Sequence, residues 1–178
     1  MATGAPTPEP TPAPPASGPP GLVAYRIFWI VAPAIVVLDQ LSKLWLGARL
    51  PFGTYGEPGS IRVIRNFFYI VHVGNTGAAW SMFSGRSVLL ALLAGATLFA
   101  IYLWRNALGL RDRSTQFCFG LLCGGIAGNL VDRMRHGYVV DFIDLHFGSY
   151  VYPTFNLADA GICVGVVLYL IHSLRHPD

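Results

Sequence analysis

Charge is what this sequence has least of. Asp, Glu, Lys and Arg together make up 12% of its 178 residues, about half the roughly 25% usual in soluble domains. Hydrophobic residues make up 53% and the mean hydropathy is +0.51, so the composition excludes an ordinary water-soluble globule and reads as a polytopic membrane protein. The formal charge of +3 is small and its basic residues are scattered, which sets nucleic acid aside as a partner. Cysteine is scarce too. Cys118, Cys123 and Cys163 lie inside apolar segments with no CxxC spacing, so a disulfide framework or a zinc site is not expected and all three read as small buried hydrophobes. No metal and no cofactor are expected. Residues 1–24 contain no Lys or Arg and no apolar run, and so lack the parts of a signal peptide. Rich in Pro, Ala, Thr and Gly, they read as a disordered tail ahead of one membrane domain over 25–178.

Two uncharged runs, residues 87–104 and 114–131, are each about eighteen residues long, close to the ~20 needed to cross ~30 Å of hydrocarbon. Two others are too short alone and reach spanning length, at about 27–46 and 156–174, only by taking in Asp39 and Asp159. The expected fold is therefore all-α and polytopic, with four transmembrane helices and outer loops over 47–86 and 132–155. Those loops contain IRVIRNFFYIVHV and YVVDFIDLHFGSYVYPTF, whose β-branched and aromatic content predicts a small β-rich element. Four spans put both termini on one side. Arg105, Arg111 and Arg113 crowd the short loop between the second and third spans, with Arg26 and Arg175 near the termini, while Arg49, Arg62, Arg65, Arg86, Arg133 and Arg135 lie on the other side; density, though not raw counting, favours termini and loop in the cytoplasm. Gly120, Gly124 and Gly128 in the third span, and Gly161 and Gly165 in the fourth, recur at a spacing that lets helix backbones approach. They predict that the end of the third span lies against the start of the fourth.

The same counting gathers the polar residues at the opposite face of the bilayer. Asp39 and Lys43 in DQLSK are four apart with the acid first, the favourable order for a helical ion pair, and read as architecture. In GNLVDR, Asp132 reads as neutralising Arg133 or another neighbour, while Asn129 and Arg133 offer donors to a substrate backbone or a lipid headgroup. Asn75 belongs to GNTGAAWSMF, whose small residues suit a loop passing close to a backbone or ligand. Ser81 in that loop lacks a histidine placed to serve as its base. Asn156 and Asp159 in FNLAD share a helix face, and Asp141 follows the third span closely enough to join them. Two carboxylates in one partly desolvated site cannot both ionise cheaply, so one keeps its proton and the pair supplies an acid and a base. Such a pair can activate water for peptide hydrolysis. The alternatives are a proton-coupled carrier using Asp39, Lys43 and Asp159, and a non-catalytic lipid-binding or assembly protein. Carriers place coupling groups near the midplane, whereas these acids lie toward one surface.

The blocks DQLSK, NTGAAWSMF, GNLVDR, VVDFID and FNLADA, in this order against four spans, resemble the bacterial lipoprotein signal peptidases, also called signal peptidase II. The resemblance covers the chain from about residue 25 onward. It implies an aspartyl endopeptidase of the inner membrane with its active site on the periplasmic side. Such an enzyme removes signal peptides from prolipoproteins just before a cysteine that carries a diacylglyceryl group. It implies Asp141 and Asp159 as the catalytic pair and Asn75, Asn129, Arg133 and Asn156 as substrate-binding residues. Asp39, Lys43 and Asp132 would give polar support, with membrane lipids as partners and a monomer as the working unit. Asp144 has no role on this reading beyond a solvated or strand-face acid. Trp80 stands where the family commonly has Phe, and the proline-rich tail is not part of the family pattern.

Overall fold

A computed structural model describes residues 22–56, 58–78 and 82–175. The tail up to residue 21, and with it Trp80 and Ser81, lies outside the described residues. A 3-10 turn, Leu22–Tyr25, leads into α1 (Arg26–Gly47), followed by α2 (Ser87–Trp104), α3 (Arg113–His136) and α4 (Leu157–Arg175). All four are long and apolar enough to cross a membrane, so the structure is a four-helix membrane protein. Asp39 and Lys43 lie within α1, and Asp159 lies in the first turn of α4.

The third helix runs five residues past its expected end at 131, because Asp132 and Arg133 find partners inside the protein instead of terminating the span. It stops at Gly137, whose φ of 78° closes the last turn with its N–H on Arg133 O. Its start is fixed by Asp112, which accepts from Thr115 N at 2.9 Å and is held below the ordinary carboxylate range chiefly by that hydrogen bond.

α3 is the centre of the bundle, with α1, α2 and α4 packed around it. The glycines explain how, though not all with the partners expected. Gly120 and Gly124 face α1, where an added Cβ would meet Val31, Ala32 and Ile35 at 2.7–2.9 Å. Gly125, outside the expected stripe, lets α4 in, since its Cβ would collide with Ala158 O. Gly161 and Gly165 on α4 lie against Leu121, Cys118 and Leu122 of α3. The end of α3 and the start of α4 are thus juxtaposed as expected, through Gly128 of the repeat, whose added Cβ would lie 3.3 Å from Ala158 Cβ, and through Gly125 beside the repeat. The outward faces are apolar and exposed, as at Ile30, Leu92 and Leu170, where the solvent of such helices is lipid rather than water.

Beyond the helix ends lies a four-stranded antiparallel sheet of order β1 (Ile61–Ile64), β2 (Phe68–Asn75), β3 (Val139–Phe147) and β4 (Tyr150–Val151). Because strand side chains alternate, β3 serves two purposes. Val140 and Phe142 pack with Leu46 in the last turn of α1 and Leu50 just beyond it, while Val139, Asp141, Leu145 and Phe147 face a cavity toward the helices. Pairing of Val73 with Asp141 and of Asn75 with Val139 brings the end of β2 alongside.

Candidate active site

Asp159 is the third residue of α4, and Asn156 is its N-cap. The cap is reciprocal: Asp159 N donates to Asn156 Oδ1 at 2.9 Å, and Asn156 N donates to Asp159 Oδ2 at 3.3 Å. The sequence N-x-x-D therefore forms a capping box, which satisfies two helix-end donors and places a carboxylate where the helix macrodipole favours it. A third donor of the same turn, Ala158 N, goes to Asp39 Oδ1 at 3.1 Å. A charge can sit at the mouth of an apolar helix because the helix end supplies its partners.

Three asparagines join this carboxylate to Asp141, and the orientation of each amide is fixed by a bond to its oxygen. Asn156 Oδ1 is occupied by Asp159 N, so its Nδ2 points to Asp141 Oδ1 at 2.8 Å. Asn75 Oδ1 accepts from Gly77 N at 2.9 Å, which turns its Nδ2 to Asp141 Oδ2 at 3.0 Å. Asn129 Oδ1 receives Asn156 Nδ2 at 3.2 Å, and its own Nδ2 donates to Asp159 Oδ1 at 2.7 Å. Asp141 is 2% exposed. Burial, and after it the negative charge of Asp159, push its carboxyl up to about 7 against the opposing pull of the two asparagine hydrogen bonds and of Lys43.

Behind the pair lies a polar knot. Lys43 Nζ is 2.7 Å from both Asp39 Oδ2 and Asp132 Oδ2, so the ion pair expected between Asp39 and Lys43 is present. Of the two partners expected for Asp132, Arg133 or another neighbour, the structure provides the second: it neutralises Lys43, and it accepts from Val140 N at 3.1 Å at the start of β3. Adjacent helical residues do not face each other, and Arg133 points instead to Gly77 O, with Nη2 at 2.8 Å. Gln40, which the sequence reading passed over, completes the knot by donating to Asp132 Oδ1 at 2.9 Å and Gly128 O at 3.3 Å. Its four-residue spacing from Leu44 marked only a helix; three residues from Lys43, it was a polar group in an apolar stretch, and that was the available signal.

The two acids open onto one cavity of about 480 Å³. Asn75, Asn129, Arg133, Asp141 and Asp159 form its polar end, and Leu145, Phe147, Tyr152, Pro153, Phe155 and Ile162 form an apolar remainder. Arg133 Nε is buried and has no hydrogen-bond partner in the protein. Asn156, buried behind them, touches both acids without lining the cavity. Cys163 lines the cavity and is exposed, unlike buried Cys118 and Cys123, which corrects the expectation that all three are buried. Asp144 also differs from expectation. It is 2% exposed and bonded to His146 Nε2 at 2.7 Å, and it does not line the cavity. Among the described residues no group of three or more His, Cys, Asp or Glu side chains converges as a metal ligand set.

Four apolar helices, with buried Asp141 and half-buried Asp159 lining one cavity at one end of the bundle, are compatible with a membrane aspartic peptidase. A family model described as Signal peptidase (SPase) II matches residues 31–175. The lipoprotein signal peptidase of Janthinobacterium sp. (strain Marseille) is 36% identical over 155 residues, covering 83% of this chain and 88% of that protein. That of Geobacillus kaustophilus (strain HTA426) is 40% identical over 145 residues, covering 82% and 90%. A solved structure described as a bacterial membrane enzyme, determined by the in meso method at 2.3 Å resolution, matches with a TM-score of 0.74 at 31% identity, covering 83% of this chain and 87% of that one. The chain belongs to the signal peptidase II family, and it is an aspartic peptidase.

Proposed function

We propose that this chain removes the signal peptide from diacylglyceryl-modified prolipoproteins, cutting N-terminal to the lipidated cysteine with Asp141 and Asp159 as the catalytic pair. The observation that carries this reading is the convergence of the two carboxylates, from β3 and from the mouth of α4, on one cavity with a polar end and an apolar remainder. The relatives' name, lipoprotein signal peptidase, supports the substrate class.

In the working form one proton resides on the pair, on Asp141, whose carboxyl is pushed up to about 7. Asp159, as the carboxylate, takes a proton from water while the water oxygen attacks the scissile carbonyl carbon. Asp141 gives its proton to the carbonyl oxygen, and a neutral gem-diol results. Asp159 then protonates the departing amide nitrogen as the C–N bond breaks, and Asp141 recovers its proton from a diol hydroxyl. Both acids end as they began. Asn129, Asn75 and Asn156 hold the carboxylates in place, and Arg133, which lines the cavity beside them, offers its guanidinium to the substrate. The apolar wall beside the acids suits acyl chains, which would hold the scissile bond at interface depth.

The reading places the enzyme in the inner membrane as a monomer, both termini cytoplasmic, the sheet and the acids periplasmic, membrane lipids around it, and a peptidase domain over residues 25–178. The test is cleavage of a purified diacylglyceryl-modified preprolipoprotein beside its unmodified form. Asp141→Asn and Asp159→Asn should each fold yet lose turnover, and the unmodified precursor should be ignored. Normal turnover by either variant rejects the pair, and equal cleavage of both precursors rejects the substrate class.

A further inference from the structure

At the end of the bundle away from the acids, two cavities adjoin. The first is polar, about 250 Å³, and walled by Ala24, Arg26, Arg111, Arg113 and Gln116. Gln116 builds it: Nε2 donates to Ala24 O at 2.8 Å and Oε1 accepts from Ile27 N at 3.2 Å, holding the start of α1 against the first turn of α3. Gln116 is 2% exposed, so this junction is internal, and it brings Arg26 of α1, Arg113 of α3 and Arg111 of the loop before α3 around one opening. The one acid beside them in sequence, Asp112, is turned to Thr115 at 2.9 Å and to His172 Nε2 at 3.2 Å. The N-terminus of α3 adds the positive end of its macrodipole.

The second cavity is an apolar groove of about 680 Å³ between α1 and α2, floored by α3. Trp29, Pro33 and Val37 face Ile101 across Gly124 and Ala127. The groove begins at Tyr25 and Leu110, the chain neighbours of Arg26 and Arg111. Arg26 lies seven and eleven residues before Pro33 and Val37, which puts it on their flank of the helix. From Tyr25 to Val37 the groove runs about 18 Å at ~1.5 Å per residue, slightly more than half of the ~30 Å hydrocarbon thickness. A helix of that length, roughly 10–12 Å across, would occupy about 1,400–2,000 Å³, two to three times the space. An acyl chain is the occupant whose size and depth agree.

We propose that these cavities together bind one anionic phospholipid, its phosphate among Arg26, Arg111 and Arg113 and an acyl chain in the groove between α1 and α2, in the leaflet opposite the catalytic pair. The experiment is native mass spectrometry of the full chain in neutral detergent, titrated with dioleoylphosphatidylglycerol, with dioleoylphosphatidylcholine, and with inorganic phosphate as competitor. The phosphatidylglycerol should be retained over the phosphatidylcholine, with affinity lowered about fivefold by each Arg→Gln change and on the order of 100-fold by all three. Val37→Trp, which narrows the groove and keeps the arginines, should weaken retention of both lipids. Turnover of the lipidated peptide by each variant reports that it is folded, and the single Arg→Gln variants suffice if the triple variant does not fold. Equal retention of the two lipids, or retention unchanged in the arginine variants, overturns the proposal. Displacement of lipid by inorganic phosphate would identify a free-anion site and overturn it as well. So would Val37→Trp abolishing a dimer while leaving lipid retention intact, since the groove would then hold a second copy.

Discussion

Asp141→Asn should make the protein inactive and, above neutral pH, more stable. The carboxyl is pushed from 3.8 up to about 7 by burial and by Asp159, so the folded protein retains a proton that the unfolded chain has released. Wild-type stability therefore falls as pH rises from about 4 to 7 and stays low beyond. At about 1.36 kcal/mol per unit, three units amount to about 4 kcal/mol at pH 8 and to less than about 1 kcal/mol at pH 4. An asparagine escapes that loss but presents one acceptor where two are used. Neither Asn75 nor Asn156 can turn to suit it, since Gly77 N and Asp159 N hold their oxygens. One donor facing another costs about 1–3 kcal/mol. The variant should thus exceed wild type by about 1–3 kcal/mol at pH 8 and fall below it by up to about 3 kcal/mol at pH 4. For a chain of this size that is roughly 2–4 °C per kcal/mol in melting temperature, and the difference should change sign between the two pH values. Intrinsic-fluorescence melting of both proteins in detergent from pH 4 to 8.5 measures it. A difference that does not vary with pH, or a wild type that is the more stable at pH 8, refutes the reasoning.

The pH profile of cleavage follows from the same carboxyl. The working form needs the proton on Asp141, so kcat/KM for a lipidated peptide should fall about tenfold per unit above pH 7, and a rate still climbing at pH 9 contradicts it. Lys43→Met leaves Asp39 and Asp132 buried without their cation and should destabilise by about 3–5 kcal/mol, seen as lost yield or a melting temperature lowered beyond measurement; a wild-type melting curve would show that the knot is not held by charge. Gly125→Ala drives a methyl into Ala158 O and to 2.7 Å from Ile162 Cγ1. It should cost about 1–3 kcal/mol and reduce turnover by displacing the turn that carries Asp159. Gly95→Ala on α2 meets nothing within 4 Å and should be neutral or stabilising by up to about 1 kcal/mol; equal effects of the two alanines would remove the packing explanation.

The class of the fold was legible because span length and charge scarcity are properties of the chain itself; Asp159 stood out because it spoils an apolar run, and Asp141 because it follows the third span closely. The ion pair of Asp39 with Lys43 was legible for a similar reason, being local to one helix. Less could be read where a partner comes from another element. Asp132 read as pairing with Arg133 or another neighbour without deciding which, because its cation arrives from α1 and its backbone donor from β3. Asp144 read as a solvated or strand-face acid; it is on a strand, but the sheet buries it and His146 meets it. Glycine spacing foretold the approach of α3 to α4, made by Gly128, Gly161 and Gly165, but not that Gly120 and Gly124 serve α1 or that Gly125 joins the contact.

The lysine shared by two aspartates has an evolutionary corollary. The two aspartates and one lysine sum to a charge of −1, so loss of either Asp39 or Asp132 leaves the lysine paired with the other, whereas loss of Lys43 strands two like charges in a poor solvent for ions. Drift should therefore reach one of the aspartates well before it reaches the lysine.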